Sequence, residues 1–328
     1  MQQRRLGKGG PEVSAIGLGC MGMSDFYGPA DEGESVATIH MALERGVTLL
    51  NTGDFYGMGH NEMLVGRAIE GKRDRAFISV KFGAQRSPTG QFIGFDTRPA
   101  AVKTALAYTL KRLGTDYVDL YQPARVDPAV PIEETVGAIA EMVQGGFVRH
   151  IGLSEASAET VARASAVHPI AALETEYGIL TRDIEGEILP GARALGVGVV
   201  AYGVLSRGLI GGGTAGRFDA PGDLRAAMSP RHAGENLRKN LGLVEALGRV
   251  AADKGITPAQ LAIAWVLARG DDIIPLAGAR RRDRLAEALG ALEVKLSAED
   301  LARVEAAAPP GSTAGTRYDA HQMTMVAR

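Results

Sequence analysis

Asn51-Thr52-Gly53-Asp54-Phe55-Tyr56-Gly57 is followed, 25 residues after its tyrosine, by Lys81 in Ile78-Ser79-Val80-Lys81-Phe82. The apolar runs around them read as two strands, with the tyrosine just past the first and the lysine at the end of the second. A free phenol titrates at about 10 and is a poor acid at neutral pH. A neighbouring ammonium stabilises the phenolate and lowers that value. With both side chains in one pocket, Tyr56 can hand a proton to a carbonyl oxygen while a hydride arrives at the carbon. Bringing the two together is the task of the fold.

Short apolar runs alternate with amphipathic stretches along the whole chain. The runs end near Leu18, Asn51, Lys81, Tyr121, Ser154, Glu174, Tyr202 and Pro275. The helical stretches are 34–45, 61–70, 99–113, 131–144, 157–167, 185–195, 236–254 with 258–269, and 281–290. Capping signals support several starts. Asp31 with Glu34 and Ser297 with Asp300 have capping-box spacing, and Thr257 precedes Pro258. Such alternation means a parallel sheet covered by helices. Eight strand–helix units without a linker predict one domain over residues 1–328, a closed (β/α)8 TIM barrel. An N-terminal hairpin turning at Lys8-Gly9-Gly10-Pro11 precedes the barrel, and an extra C-terminal helix starts at Ser297. Gly17-Leu18-Gly19-Cys20-Met21-Gly22 has the spacing of a phosphate loop, but a loop follows it where that motif needs a helix. Two long loops, 82–98 and 203–235, fall on the C-terminal face, where barrels keep their sites. The second contains Gly211-Gly212-Gly213 and is expected to be mobile.

With 328 residues, 45% of them hydrophobic, the chain can bury a large core. A net charge of −2 argues against bulk attraction to nucleic acid or anionic lipid. Cys20 is the one cysteine, which excludes an internal disulfide and fits a reducing cytosol. No stretch approaches the roughly 18 apolar residues of a membrane helix. Met1-Gln2-Gln3-Arg4-Arg5 leads into turns without an apolar signal core, so the expected location is cytoplasmic.

Over nearly its full length the chain resembles the NADP-dependent aldo-keto reductases of bacterial type. The resemblance is carried by the hairpin and by residues 17–23, 54–57, 80–83, 152–154, 201–202 and 274–278 taken together. It implies a barrel, NADPH/NADP+ held without a Rossmann domain, and reduction of an aldehyde or ketone to an alcohol. It also implies a catalytic tetrad of aspartate, tyrosine, lysine and histidine. Tyr56 and Lys81 match. Asn51 stands at the aspartate position and Ala124, in Tyr121-Gln122-Pro123-Ala124-Arg125-Val126-Asp127, at the histidine position. Asp54, two residues before Tyr56, reads as a loop-capping carboxylate.

Asparagine can accept a hydrogen bond from Lys81 but offers no charge. The lost ion pair would be worth up to about 4 kcal/mol at an effective dielectric of 20. Lys81 is therefore expected to deprotonate more readily, and Asn51→Asp to raise turnover. Ala124 cannot polarise a carbonyl as the histidine would. Some relatives that reduce pyridoxal also lack that histidine. A pyridoxal-reductase-like activity and a slow-turnover NADP(H)-binding redox sensor or regulatory protein thus stay open, as does alcohol oxidation. His60, His150 and His232 read as structural or solvated before catalytic.

Arg280-Arg281-Arg282-Asp283-Arg284 opens the last barrel helix, against the preference of the helix dipole, and so calls for an anion. The resemblance assigns Arg280, Arg281 and Arg284 to the 2′-phosphate of NADP, where the arginine fork pairs phosphate oxygens bidentately. It makes Glu287 an adenine contact, with Ala288 where an asparagine is usual. Gly19, Cys20 and Met21 are implied cofactor contacts, Tyr202 the ring that stacks on nicotinamide, and Ser154 a carboxamide partner. Glu155 sits where many relatives have asparagine. Glu174 sits where most have glutamine, and it can accept from the carboxamide but not donate. The substrate pocket is expected from Phe26, Tyr27, Phe55, Phe82, Gln122 and Arg125, with Phe218 beside them. The expected partner is a small-molecule carbonyl substrate, with no metal, nucleic acid or membrane; oligomeric state leaves no mark in the sequence.

Overall fold

The computed structural model describes residues 1–211, 218 and 220–327. Strands β1 (Gln3–Arg5) and β2 (Glu12–Ser14) form the antiparallel N-terminal hairpin. The next strands are β3 (Gly17–Gly19), β4 (Leu49–Gly53), β5 (Phe77–Phe82), β6 (Ala84–Arg86), β7 (Phe92–Phe95) and β8 (Val118–Pro123). They are followed by β9 (Val148–Ser154), β10 (Ile170–Glu176), β11 (Gly198–Tyr202) and β12 (Ile273–Gly278). Among the described residues, β3, β4, β5 and β8 to β12 close into an eight-stranded parallel barrel, with β12 pairing back onto β3. Closure leaves no barrel edge unpaired.

Around the barrel lie α1 (Glu32–Glu44), α2 (His60–Ile69), α3 (Pro99–Leu113), α4 (Ile132–Gln144), α5 (Ala158–Val167) and α6 (Ile188–Ala194). The short α7 (Arg225–Met228) precedes α8 (Gly234–Asp253), α9 (Pro258–Leu267), α10 (Arg282–Leu289) and α11 (Ala298–Ala307), and α12 (Ala320–Met323) lies in the tail. Thr257 and Ser297 close reciprocal capping boxes with Gln260 and Asp300. Asp31 caps α1 by accepting from Glu34 N–H at 2.6 Å, but the box stays half made. The Glu34 carboxylate goes instead to the Arg282 guanidinium at 2.9 Å, a stronger charge-assisted partner.

Strand alternation sorts the side chains into two cores. Leu50, Ile78, Val80, Phe82, Tyr121, Leu173 and Ala201 point outward and join the core beneath the helices. Leu49, Leu120, Ala172, Val200, Ile274 and Leu276 point into the barrel, and Leu6 and Val13 of the hairpin plug it from below. Two residues further along the same inward faces stand Asn51, Gln122, Glu174 and Tyr202. An apolar floor thus carries a polar layer on the side where the strands end.

The two long connections hold more structure than their composition suggested. Residues 82–98 contain the antiparallel β6–β7 hairpin. Residues 203–235 contain α7 and bridge to the first barrel loop through Tyr27 and Asp223. Gly212 and Gly213 of the expected mobile segment lie outside the described residues. The Gly17–Gly22 segment leaves β3 into a short turn at Met21–Met23, and α1 starts only at Glu32. No described helix is long and apolar enough to cross a membrane.

Candidate active site

At the centre of the polar layer, Lys81 Nζ donates to Asn51 Oδ1 at 2.6 Å and to Glu174 Oε1 at 2.8 Å. The second Glu174 oxygen accepts from Asn51 Nδ2 at 2.7 Å and Gln122 Nε2 at 2.6 Å. Both amides also reach Ser79 Oγ, at 3.3 and 3.2 Å. All five residues are buried. This corrects the expectation that Lys81 lacks a carboxylate: Glu174 supplies one from the other side of the barrel. Glu174, expected as a carboxamide acceptor, here accepts from Lys81, Asn51 and Gln122. Burial holds the Lys81 ammonium below its ordinary value, with Glu174 opposing.

Tyr56 follows β4 on a turn whose next residues, Gly57, Met58 and Gly59, have φ of 57°, 55° and 94°. The left-handed backbone favours glycine at the flanking positions and turns the chain sharply under the tyrosine. Phe55 lies edge-on to the Tyr56 ring at 4.7 Å, and Lys81 Nζ is 5.4 Å from the ring centroid. The predicted pair does meet, but the predicted lowering of the phenol does not occur. Burial, and then the Glu174 carboxylate, push the Tyr56 hydroxyl well above the ordinary phenol value. The Lys81 ammonium beside the ring is ion-paired with that same carboxylate. Asp54 accepts from Gly83 N–H at 3.3 Å, as a loop cap would. Burial, with Glu62 nearby, pushes its carboxyl up to about 7.

Above this layer lies a second, which the sequence reading missed as a unit. The Tyr202 hydroxyl donates to Glu155 Oε1 at 2.8 Å and meets the Tyr318 hydroxyl at 2.8 Å. Arg317 grips Glu155 with two bonds of 3.0 Å. Arg125 donates to Tyr318 Oη at 3.1 Å and to the Ala124 carbonyl at 2.6 Å. Arg207 pairs with Glu176 at 3.2 Å and lies 4.3 Å from the Tyr318 ring centroid. Burial would raise the Glu155 carboxyl, but Arg317 and Arg125 outweigh it and hold the group low. The tail residues Arg317 and Tyr318 had no periodicity or motif to mark them. Glu155 therefore spends its charge on the tail. Ser154 Oγ and Gln122 Oε1, both buried, have no hydrogen-bond partner among the described residues.

The remaining candidates divide. Arg280 Nη1 donates to the Tyr27, Gly28 and Pro29 carbonyls at 3.1, 3.2 and 3.0 Å, which ties α10 to the first barrel loop. Arg281 pairs with Asp283 and Arg284 with Glu287, all with exposed guanidinium groups. Ala288 faces the core. Gly19 pairs in register with Asn51, and Cys20 N–H donates to the Asn51 carbonyl at 2.9 Å; Met21 opens the turn that follows. Burial pushes the Cys20 thiol up to about 12. Phe26 and Tyr27 lie against the loop of Asp223–Arg225, and the Arg225 guanidinium covers Tyr27 and Phe218 at 5.0 and 4.5 Å. Phe82 is no pocket wall: alternation turns it outward, stacked on Tyr121 at 4.3 Å. Gln122 belongs to the polar layer instead of an aromatic pocket. Ala124 is buried, its N–H on the Phe82 carbonyl at 2.8 Å. Among the described residues no histidine takes its place. His60 is held by Ser24 at 2.9 Å and Glu32 at 2.6 Å, His232 by Ser229 at 2.9 Å, and His150 lies against Phe77 at the opposite end.

A profile of the "Aldo/keto reductase family" matches residues 15–309. The chain belongs to the aldo-keto reductase family. A "Probable aldo-keto reductase 1" of Glycine max is 43% identical over 322 residues, which span 97% of this chain and 92% of that protein. The glycerol dehydrogenase of Gluconobacter oxydans has a similar structure, with a TM-score of 0.82, 28% identity, and coverage of 94% of this chain and 96% of that one. An aldo-keto reductase of Bacillus halodurans superposes with a TM-score of 0.77 at 28% identity, covering 98% and 99%. Membership makes this aldo-keto reductase an oxidoreductase that acts on carbonyl and alcohol groups with a nicotinamide cofactor. Within that family frame, the pairing of Lys81 with Glu174 and of Glu155 with Arg317 are features that arise from this chain's own residues.

Proposed function

We propose that this aldo-keto reductase reduces an aldehyde or ketone to an alcohol with NADPH. The observation that carries the reading is the meeting of Tyr56 with a buried, ion-paired Lys81 where the barrel strands end. The residues fit the cofactor at both of its ends. Arg281 and Arg284 present exposed guanidiniums at the start of α10, which suits a 2′-phosphate. Ser154 Oγ, buried and unpartnered, suits a carboxamide. When bound, NADPH supplies the hydride that reaches the carbonyl carbon. Tyr56 holds a proton at neutral pH because burial keeps its hydroxyl neutral, and it releases that proton to the substrate oxygen as negative charge develops there. Lys81 sits beside the ring as the nearby positive charge.

Arg125 has no carboxylate partner among the described residues and stands at the same mouth. Carbonyl compounds that carry a carboxylate therefore belong in the substrate panel, together with simple aldehydes, ketones and pyridoxal. Oxidation of glycerol, the substrate named for the Gluconobacter oxydans relative, tests the reverse direction. The decisive measurement is NADPH oxidation across that panel with Tyr56→Phe as control. Equal turnover by the two proteins would remove the reading.

A further inference from the structure

The buried layer at the base of the site brings one basic and one acidic side chain into contact. Lys81 Nζ lies 2.8 Å from Glu174 Oε1, and both side chains are almost wholly excluded from solvent. Asn51 stands between them as a neutral bridge. Its Oδ1 accepts from Lys81 at 2.6 Å while its Nδ2 donates to Glu174 Oε2 at 2.7 Å. Gln122 adds a second donor to that oxygen at 2.6 Å. Glu174 thus accepts three hydrogen bonds, each from a group that can only donate there.

We propose that Glu174 is a positioning residue for the reductase reaction, the counter-ion that holds Lys81 charged and aimed beside Tyr56. The proposal rests on the reductase reading above. Its physical basis is charge count. A buried ammonium without a counter-ion gives up its proton or leaves the site. Among the described residues, Glu174 is the carboxylate that bonds Lys81. The other titratable groups facing Lys81 are Tyr56 from the turn after β4, Arg125 after β8 and Cys20 after β3. Of these, Arg125 repels the ammonium, and Cys20, with its thiol pushed up to about 12, stays neutral.

The same geometry reverses the expected effect of restoring an acid at position 51. Asn51→Asp would place two carboxylates against one buried ammonium and exchange the Nδ2 donor for an oxygen 2.7 Å from Glu174 Oε2. Glu174→Gln would leave Lys81 unpaired. Making both changes exchanges amide and carboxylate and returns the layer to neutrality. Gln122 Oε1, now without a partner, could then accept from the amide introduced at position 174 after a half turn of the Gln122 side-chain amide.

The test is a double-mutant cycle of wild type, N51D, E174Q and N51D/E174Q, read in two ways. The first reading is the pH–rate profile with NADPH and the best carbonyl of the panel. E174Q should lower turnover at neutral pH by at least about tenfold and move the basic limb to lower pH, because Lys81 loses its proton sooner. N51D should be no faster than wild type. The double variant should recover most of the rate and the position of the basic limb. The second reading needs no turnover: denaturant unfolding of the four proteins from pH 6 to pH 10. Each single change should lower the midpoint and the double change restore it. The E174Q deficit should shrink as pH rises toward the ordinary lysine value, where the charge it fails to balance disappears. A basic limb unmoved in E174Q, or a double variant no better than E174Q in rate and stability, overturns the proposal. A wild type with no turnover on any carbonyl, yet with the coupled stability cycle intact, overturns the reductase reading and leaves the ion pair standing.

Discussion

The two tiers of polar side chains at the barrel mouth are held by opposite means. In the lower tier, strands β4, β5, β8 and β10 supply every member, and one ammonium meets one carboxylate inside a closed set of hydrogen bonds. The upper tier takes Glu155, Glu176 and Tyr202 from strand ends but its cations, Arg125, Arg207, Arg231 and Arg317, from loops and the tail. Among the described residues, four guanidiniums there face the buried carboxylates of Glu155 and Glu176 and the exposed one of Asp183. Where rigid strands fix the geometry, charge is balanced and oriented. Where loops close over the top, cations are in excess and the arrangement depends on the tail staying docked. The lower tier is fixed by strands, the upper by loops and the tail.

Removing the hydroxyl of Tyr56, which stands on the turn beside the lower tier, should have the largest effect. Tyr56→Phe is expected to cut turnover by about 10² to 10⁴, the range for loss of a general acid, while cofactor affinity measured by fluorescence titration survives. Arg317→Ala breaks the upper tier. It strands a buried carboxylate and should destabilise the fold by about 3 kcal/mol. The sign with pH follows from Glu155, whose carboxyl is held below its ordinary value. That stability is present above the ordinary carboxylate range and lost as pH falls through the lower folded value. Without Arg317, acid unfolding followed by circular dichroism should begin at higher pH. An unchanged acid midpoint would mean that the tail is a passive cover.

Asn51→Asp should cost about 1 to 3 kcal/mol in denaturant unfolding, because it adds an unpaired buried charge to a balanced set. A variant as stable as wild type would show that the lower tier tolerates charge as the upper one does. Further out, Arg284→Ala should weaken NADPH by about tenfold and leave NADH nearly unchanged, since a charge-assisted pair of about 1.5 kcal/mol is lost with one of them. The smallest effect is expected at Cys20, next to the lower tier. Its thiol, at about 12, should react with an aromatic disulfide at pH 8 only as fast as the protein unfolds.

Much of this arrangement could be read locally. Thr257, Pro258 and Gln260, or Ser297 and Asp300, lie within one helical turn, so their caps follow from sequence spacing. Alternation along Leu49-Leu50-Asn51 and Phe77-Ile78-Ser79-Val80-Lys81 already placed Asn51, Ser79 and Lys81 on one face. It also held the information that Phe82 points away from them. The identity of the carboxylate beside Lys81 could not be read in this way. Asn51 is 30 residues from Lys81 and Glu174 is 93, and nothing local ranks one against the other.

By itself the sequence determined the repeating strand–helix units, their caps, and which side chains each strand delivers to the inward face at its end, because those depend on contacts within a few residues. Only the closed barrel decided which of those side chains meet. Pairing β12 back onto β3 brings β10 across from β5, so that Glu174 faces Lys81. The tail's return over the mouth brings Arg317 to Glu155, 162 residues away. Charge pairing acts through space over a few ångströms, and the distance along the chain does not enter it.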